Sequence, residues 1–218
     1  MRLTFAAAIP RSHWLSVAGG TAVAFVFIHI LPELSHGQQA VEDSGHPVSD
    51  YLEQYIYLIA MAGLLVFYGL ERTIGRRYAT DGPEQHVFWV HIGAFAIYNA
   101  FIGYLLVRRD VPGLLELALF SFAMLLHFMV NDHALRMQHM TAYHDIGRWL
   151  LAGAVLAGWG LAFVVELGQA ASSMLYAFVA GALVLNVLKE ELPRERESRF
   201  WAFAAGAVGY AVLLLLVE

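Results

Sequence analysis

Two pairs of side chains in this sequence have the types and the spacing to handle a cation or a proton. His29 and Glu33 stand four residues apart in Phe25-Val-Phe-Ile-His29-Ile-Leu-Pro32-Glu33, and His127 and Asn131 repeat that spacing in Met124-Leu-Leu-His127-Phe-Met-Val-Asn131-Asp132. On a helix, residues i and i+4 project from one side, so each pair sets an imidazole beside an oxygen donor. Neutral imidazole binds borderline metals, and its charge changes near physiological pH. Both pairs lie within or at the end of long apolar runs, where ionisable groups are costly and mark function. The remaining polar groups at that depth are His91, Asn99, Glu116, Asp132, Glu166, Asn186, Glu190 and Glu191. His91 and Asn99, eight apart, share a helix face. Asp132, Glu190 and Glu191, near span ends, are further candidates for a transport path. His139, His144 and Asp145 read as a solvated loop.

What must position these groups is a set of membrane-crossing helices. Of 218 residues 59% are apolar, 14% charged and 13% aromatic. Apolar stretches long enough to cross about 30 Å of hydrocarbon as helices fall at roughly 14–34, 51–70, 87–107, 114–135, 149–166, 174–192 and 200–217. Continuous runs exclude a strand barrel, which would alternate in segments of about ten residues. The expectation is an all-α polytopic membrane protein of seven spans. No connection is long enough for a soluble domain, so residues 1–218 read as one integral membrane domain. The first span reads as an uncleaved anchor rather than a leader. His127 falls about 12 Å from the near end of its span by helical rise, too deep for its ring to reach water.

Charge gives an orientation, because Lys and Arg collect on the cytoplasmic side. Arg2, Arg11, Arg72, Arg76, Arg77, Arg136, Arg148, Lys189, Arg194, Arg196 and Arg199 all fall on one side of the seven spans, and only Arg108 and Arg109 on the other. The amino terminus is therefore expected inside and the carboxyl terminus outside, in a bacterial cytoplasmic membrane. With no cysteine, any metal must be held by imidazole, carboxylate or amide oxygen. No basic stripe points to nucleic acid. Small residues at Ala202 and Gly206, Ala205 and Gly209, and Gly158 and Gly160 permit close helix packing, against a neighbouring span or in a homodimer. A short echo links His29-Ile-Leu-Pro32-Glu33 to Lys189-Glu190-Glu191-Leu-Pro193, with the two helices running in opposite senses. An inverted repeat, typical of transporters, would leave such a trace.

These residues resemble the ZIP family of metal-ion transporters. The family's His-Leu-Leu-Pro-Glu type helix ending is similar to His29-Ile-Leu-Pro32-Glu33. A later family helix looks like Gly181-Ala-Leu-Val-Leu-Asn-Val-Leu-Lys-Glu-Glu191-Leu-Pro193, followed by a span like Phe203-Ala-Ala-Gly206-Ala-Val-Gly209-Tyr. Family members have eight spans, and this chain looks like one lacking the first. The family's His-Asn-x-x-Asp/Glu-Gly pattern appears as Tyr98-Asn99-Ala-Phe-Ile102-Gly103, and its His-Glu-x-x-x-Glu pattern as His127-Phe-Met-Val-Asn131-Asp132, with carboxylates missing from both. The resemblance implies a carrier of a divalent metal ion such as zinc or iron, and no enzyme. In it His29 and Glu33 attract the ion, and His127, Asn131 and Asn99, with His91, hold it deeper in an imidazole-weighted site. The competing expectations are a ZIP-like scaffold or metal sensor that transports nothing, and a haem-binding or other intramembrane enzyme. No Gly-x-Ser-Gly motif supports intramembrane hydrolysis.

Overall fold

Apolar runs of this length leave the backbone no polar partner but itself, and the computed structural model is helical almost throughout. It describes residues 13–43, 55–81, 85–108, 113–191 and 200–216. The helices are α1 (His13–Phe25), α2 (Leu31–Asp43), α3 (Tyr55–Asp81), α4 (Gln85–Arg108), α5 (Leu114–Ala142), α6 (Arg148–Leu161), α7 (Gln169–Asn186) and α8 (Phe200–Leu215). Three π turns, Val26–Ile30, Tyr143–Gly147 and Val187–Glu191, join α1 to α2, join α5 to α6 and extend α7.

Five stretches are long and apolar enough to cross a membrane: His13–Gln39, Tyr55–Ile74, His86–Arg108, Leu117–His139 and Gln169–Lys189. The chain is an integral membrane protein of the all-α class. Apolar side chains left at the surface agree, with Leu114 87% and Trp201 82% exposed and Met61, Leu65 and Val66 each more than half exposed, a surface that suits lipid rather than water. The remaining two expected spans are shorter helices. With 14 residues in α6 and 16 in α8, they measure about 21 and 24 Å at 1.5 Å per residue. Arg2, Arg11, Arg194, Arg196 and Arg199 and the Arg76, Arg77 and Arg109 side chains, used above for orientation, lie outside the described residues.

The sequence lets Pro32 kink or end the first span, but the helix runs on to Asp43. Pro32 has no N–H to return to the Ile28 carbonyl, and its ring crowds that carbonyl. The π turn Val26–Ile30 widens the helix just before the proline, which relieves the clash without breaking the rod. The π turn Val187–Glu191 likewise falls just before Pro193.

The chain forms two compact units and passes between them four times: within the first π turn, between α4 and α5, within α5 after Asn131, and just before the third π turn. The first unit holds α1, the first part of α5, the third π turn and α8. Here α1 packs on α8 backbone to backbone: a Cβ on Gly20 would fall on the Phe203 carbonyl, and one on Gly206 on the Val17 carbonyl. The Tyr210 hydroxyl donates to the Leu119 carbonyl at 2.8 Å, tying α8 to α5.

The second unit holds α2, α3, α4, the end of α5, the second π turn, α6 and most of α7. The same device recurs twice, with Gly103 against Val155 and Gly158 against Ala100 between α4 and α6, and Gly63 against Phe178 and Gly181 against Ala60 between α3 and α7. Thus Gly158 and Gly206, two of the small residues marked in the sequence, serve packing within the chain, while Gly160 and Gly209 face open space. Gln38 fastens α2 to α3 by accepting the Ile56 N–H at 2.9 Å.

Helix α6 runs alongside α4 in the same direction, since Gly147 meets Ile92 at one end and Arg108 meets the chain after α6 at the other. There the guanidinium donates to the Ala162 carbonyl at 2.6 Å and the Val165 carbonyl at 3.0 Å, and pairs with Glu166 at 2.9 Å. Tyr104 adds its hydroxyl, which donates to the Val165 carbonyl and accepts the Leu167 N–H, both at 3.1 Å. A helix end leaves carbonyls without partners; Arg108 occupies the carbonyl of Ala162, the C-cap of α6, and that of Val165 just beyond it.

Candidate functional site

Among the described residues, a buried group of three titratable side chains is built from three helices of the second unit. Glu71 comes from the later part of α3, His91 from the second turn of α4 and His139 from the last turn of α5. The His91 side chain is fully buried, Glu71 is one-tenth exposed and His139 is 7% exposed. His91 is the centre: its Nε2 lies 3.0 Å from Glu71 Oε1 and its Nδ1 lies 2.7 Å from His139 Nε2. Its ring also meets Phe95 edge-on, and Phe88 does the same for His139, so apolar walls stand around the polar chain. Ile92, the next residue, rests against Gly147, which fixes the register of α4 against the second π turn.

An ionised Glu71 can only accept, which places the proton of a neutral His91 on Nε2 and leaves its Nδ1 as an acceptor. His139 must then present Nε2–H to it. The three groups therefore make a directed line, not a cage converging on one point. Both His91 ring nitrogens are taken, which removes it from the expected ligand set in this arrangement. Among the described residues no three His, Asp or Glu side chains group as a metal site.

The other expected site residues are placed as follows. In the first unit, His127 and Asn131 meet each other along α5, with His127 Nε2 and Asn131 Nδ2 2.9 Å apart and both side chains buried. His29, half-buried in the first π turn, stacks on Phe25 with centroids 5.0 Å apart and lies near Phe120. Asn186, 1% exposed at the end of α7, has an Nδ2 without a hydrogen-bond partner. In the second unit, Glu33 is half-buried in the first turn of α2. The Asn99 amide donates to the Leu151 carbonyl at a long 3.4 Å. Asp132 is exposed on α5 and accepts the Tyr143 hydroxyl at 2.6 Å. Glu190 and Glu191 fall in the third π turn, and their side chains, like that of Glu116, lie outside the described residues.

Two members of the buried line escaped the sequence reading. Glu71, directly before Arg72, reads as the charged end of a span. His139 belongs to α5 and is buried rather than part of a solvated loop, whereas His144 and Asp145 are exposed. The available signal was the four-residue spacing: His127, Asn131, Leu135 and His139 follow one another at i, i+4 along α5, so each neighbours the next on the helix surface.

No family model, curated protein or solved structure matches this chain.

Proposed function

We propose that this chain is a membrane carrier of a divalent cation such as zinc or iron, similar in kind to the ZIP transporters. The observation that supports the reading best is the first π turn, where the motif carrying the resemblance is folded. π turns inside α-helices are frequently sites of function, and a widened turn changes how carbonyls meet their N–H partners. His29 lies in that turn and Glu33 just after it. His29 and Glu33 receive the ion, drawing on main-chain carbonyls as well as their side chains, and His127 with Asn131 offers a deeper resting place. The orientation that goes with this reading puts the amino terminus inside.

The test is uptake by the full-length protein in liposomes, with zinc, iron, manganese and cadmium offered in turn. One of these ions should enter faster than into protein-free vesicles, and His29→Ala and His127→Ala should each cut the rate several-fold. A non-transporting scaffold or sensor predicts uptake no faster than the protein-free rate for every ion, and that result would overturn the carrier reading.

A further inference from the structure

We propose that Glu71, His91 and His139 form a proton relay, in which one proton is passed between His139 and Glu71 through the ring of His91. The relay stands whether or not the protein carries a metal. Three features carry it. The contacts are short and sequential, at 2.7 and 3.0 Å. The central ring is fully buried, and its two nitrogens face different partners. Each group can both gain and lose a proton, which amide or hydroxyl packing groups do not do at ordinary pH.

The step balances without any further reactant. A proton arriving at His139 Nδ1 releases the one on Nε2, which passes to His91 Nδ1. His91 then gives up its Nε2 proton to Glu71 Oε1. The positive charge moves along the line and is neutralised at the carboxylate, so no isolated charge is stranded among apolar walls, where it would be costly. A reverse passage resets the line, as does loss of the proton from Glu71, which is one-tenth exposed, to water followed by a turn of each imidazole. His91 lies five residues, about 8 Å of helical rise, beyond the exposed His86, so the relay sits one to two turns inside the end of α4. Among the described residues, exposed charged groups on the same elements include Arg72, hydrogen-bonded to Tyr68, and Arg136 on α5, with His144 and Asp145 on the second π turn. The nearby Tyr143 hydroxyl is committed to Asp132.

A purely structural triad would make the same hydrogen bonds and move nothing, so the test reads proton movement. Full-length protein is placed in liposomes that trap a pH dye, a potassium diffusion potential is imposed, and the run is repeated with an inward zinc gradient. Protein-dependent acidification is expected under at least one condition. Glu71→Gln keeps the shape and an acceptor but cannot hold the proton, and should slow acidification at least tenfold. His144→Gln, outside the line, should keep the native rate. Wild-type rates in Glu71→Gln, or no proton movement by the native protein in either run, would overturn the relay. Zinc entry without protons sinks the relay and leaves the carrier reading intact, whereas protons with no entry of zinc, iron, manganese or cadmium does the reverse. In nitrogen-15 histidine spectra of the native protein, a coupling across the bond from His139 Nε2 to His91 Nδ1 is expected. Its absence from folded protein would also overturn the relay.

Discussion

Tyr143 carries a burden out of proportion to its size. It opens the second π turn, is 2% exposed, and spends its hydroxyl on Asp132 one helical stretch earlier. Burial and then the hydrogen bond to the Asp132 carboxylate raise its pKa well above the usual tyrosine value, because a phenolate there would lack water and face a like charge. The folded state thus holds its proton at a pH where the unfolded chain has lost it. The associated stability is complete below the unfolded value of about 10 and drains away as pH rises above it. A spectrophotometric titration should therefore show one more tyrosine ionising between about pH 10 and 11 on unfolding of the native protein than on unfolding of Tyr143→Phe, and alkaline pH should loosen the link between α5 and α6 first. Ionisation of Tyr143 in step with the exposed tyrosines would contradict this. At this scale the sequence was legible by kind but not by partnership. His91 was recognisable from its depth in an apolar run, yet its partners come from α3 and α5, 20 and 48 residues away. Pairing across helices depends on rotation about each helix axis, which a single sequence does not print.

Helix pairing turns on glycine. In each of the three tight pairs a glycine on one helix meets a carbonyl of the other, and a glycine on that partner answers it. In lipid there is no hydrophobic gain from bringing apolar helices together, so backbone contact of this closeness is what holds the pair. Gly158→Val puts atoms where the Ala100 carbonyl sits and should cost more than about 2 kcal/mol, since overpacking cannot be relieved by rotating a side chain. Gly153→Ala, on the same helix with open space around it, should be neutral or stabilise by up to about 1 kcal/mol through its better helix propensity. Thermal unfolding of both variants in detergent checks the pair, and equal stability would remove the close-contact account. The helices themselves were readable because hydrocarbon demands long apolar runs. The π turns were not: Pro32 announced a disturbance, but whether a helix breaks, kinks or widens depends on neighbours that hold its two ends in line. The pairing glycines were half visible, since Gly103 stands without the small four-residue partner that would advertise it, whereas Gly181 follows Ala177 at that spacing.

Membrane topology is the property of the whole molecule most open to a direct test, and α6 decides it. Taken alone its 14 residues fall short of a full crossing. Packed in the second unit, it accompanies α4 from Ile92, which meets Gly147, to Arg108, which caps its far end. The stretch His86–Arg108 is itself long and apolar enough to cross, so α6 reaches from near one end of a spanning helix to the other. Running in the same sense as α4, it must be preceded by an even number of reversals, as the alternation of basic residues requires. If α6 crosses with α4 and the proposed orientation holds, Asp145 is expected inside and Gly168 outside, since Lys and Arg collect on the cytoplasmic side. The chain contains no cysteine, so single replacements report without background. A membrane-impermeant maleimide applied to intact cells should label Gly168→Cys, and should reach Asp145→Cys only after the cells are opened. Labelling of both from outside would make α6 a re-entrant helix. Labelling of Asp145→Cys alone would invert the molecule, and the relay at the Ile92 end of α4 would then open to the exterior instead of the cytoplasm.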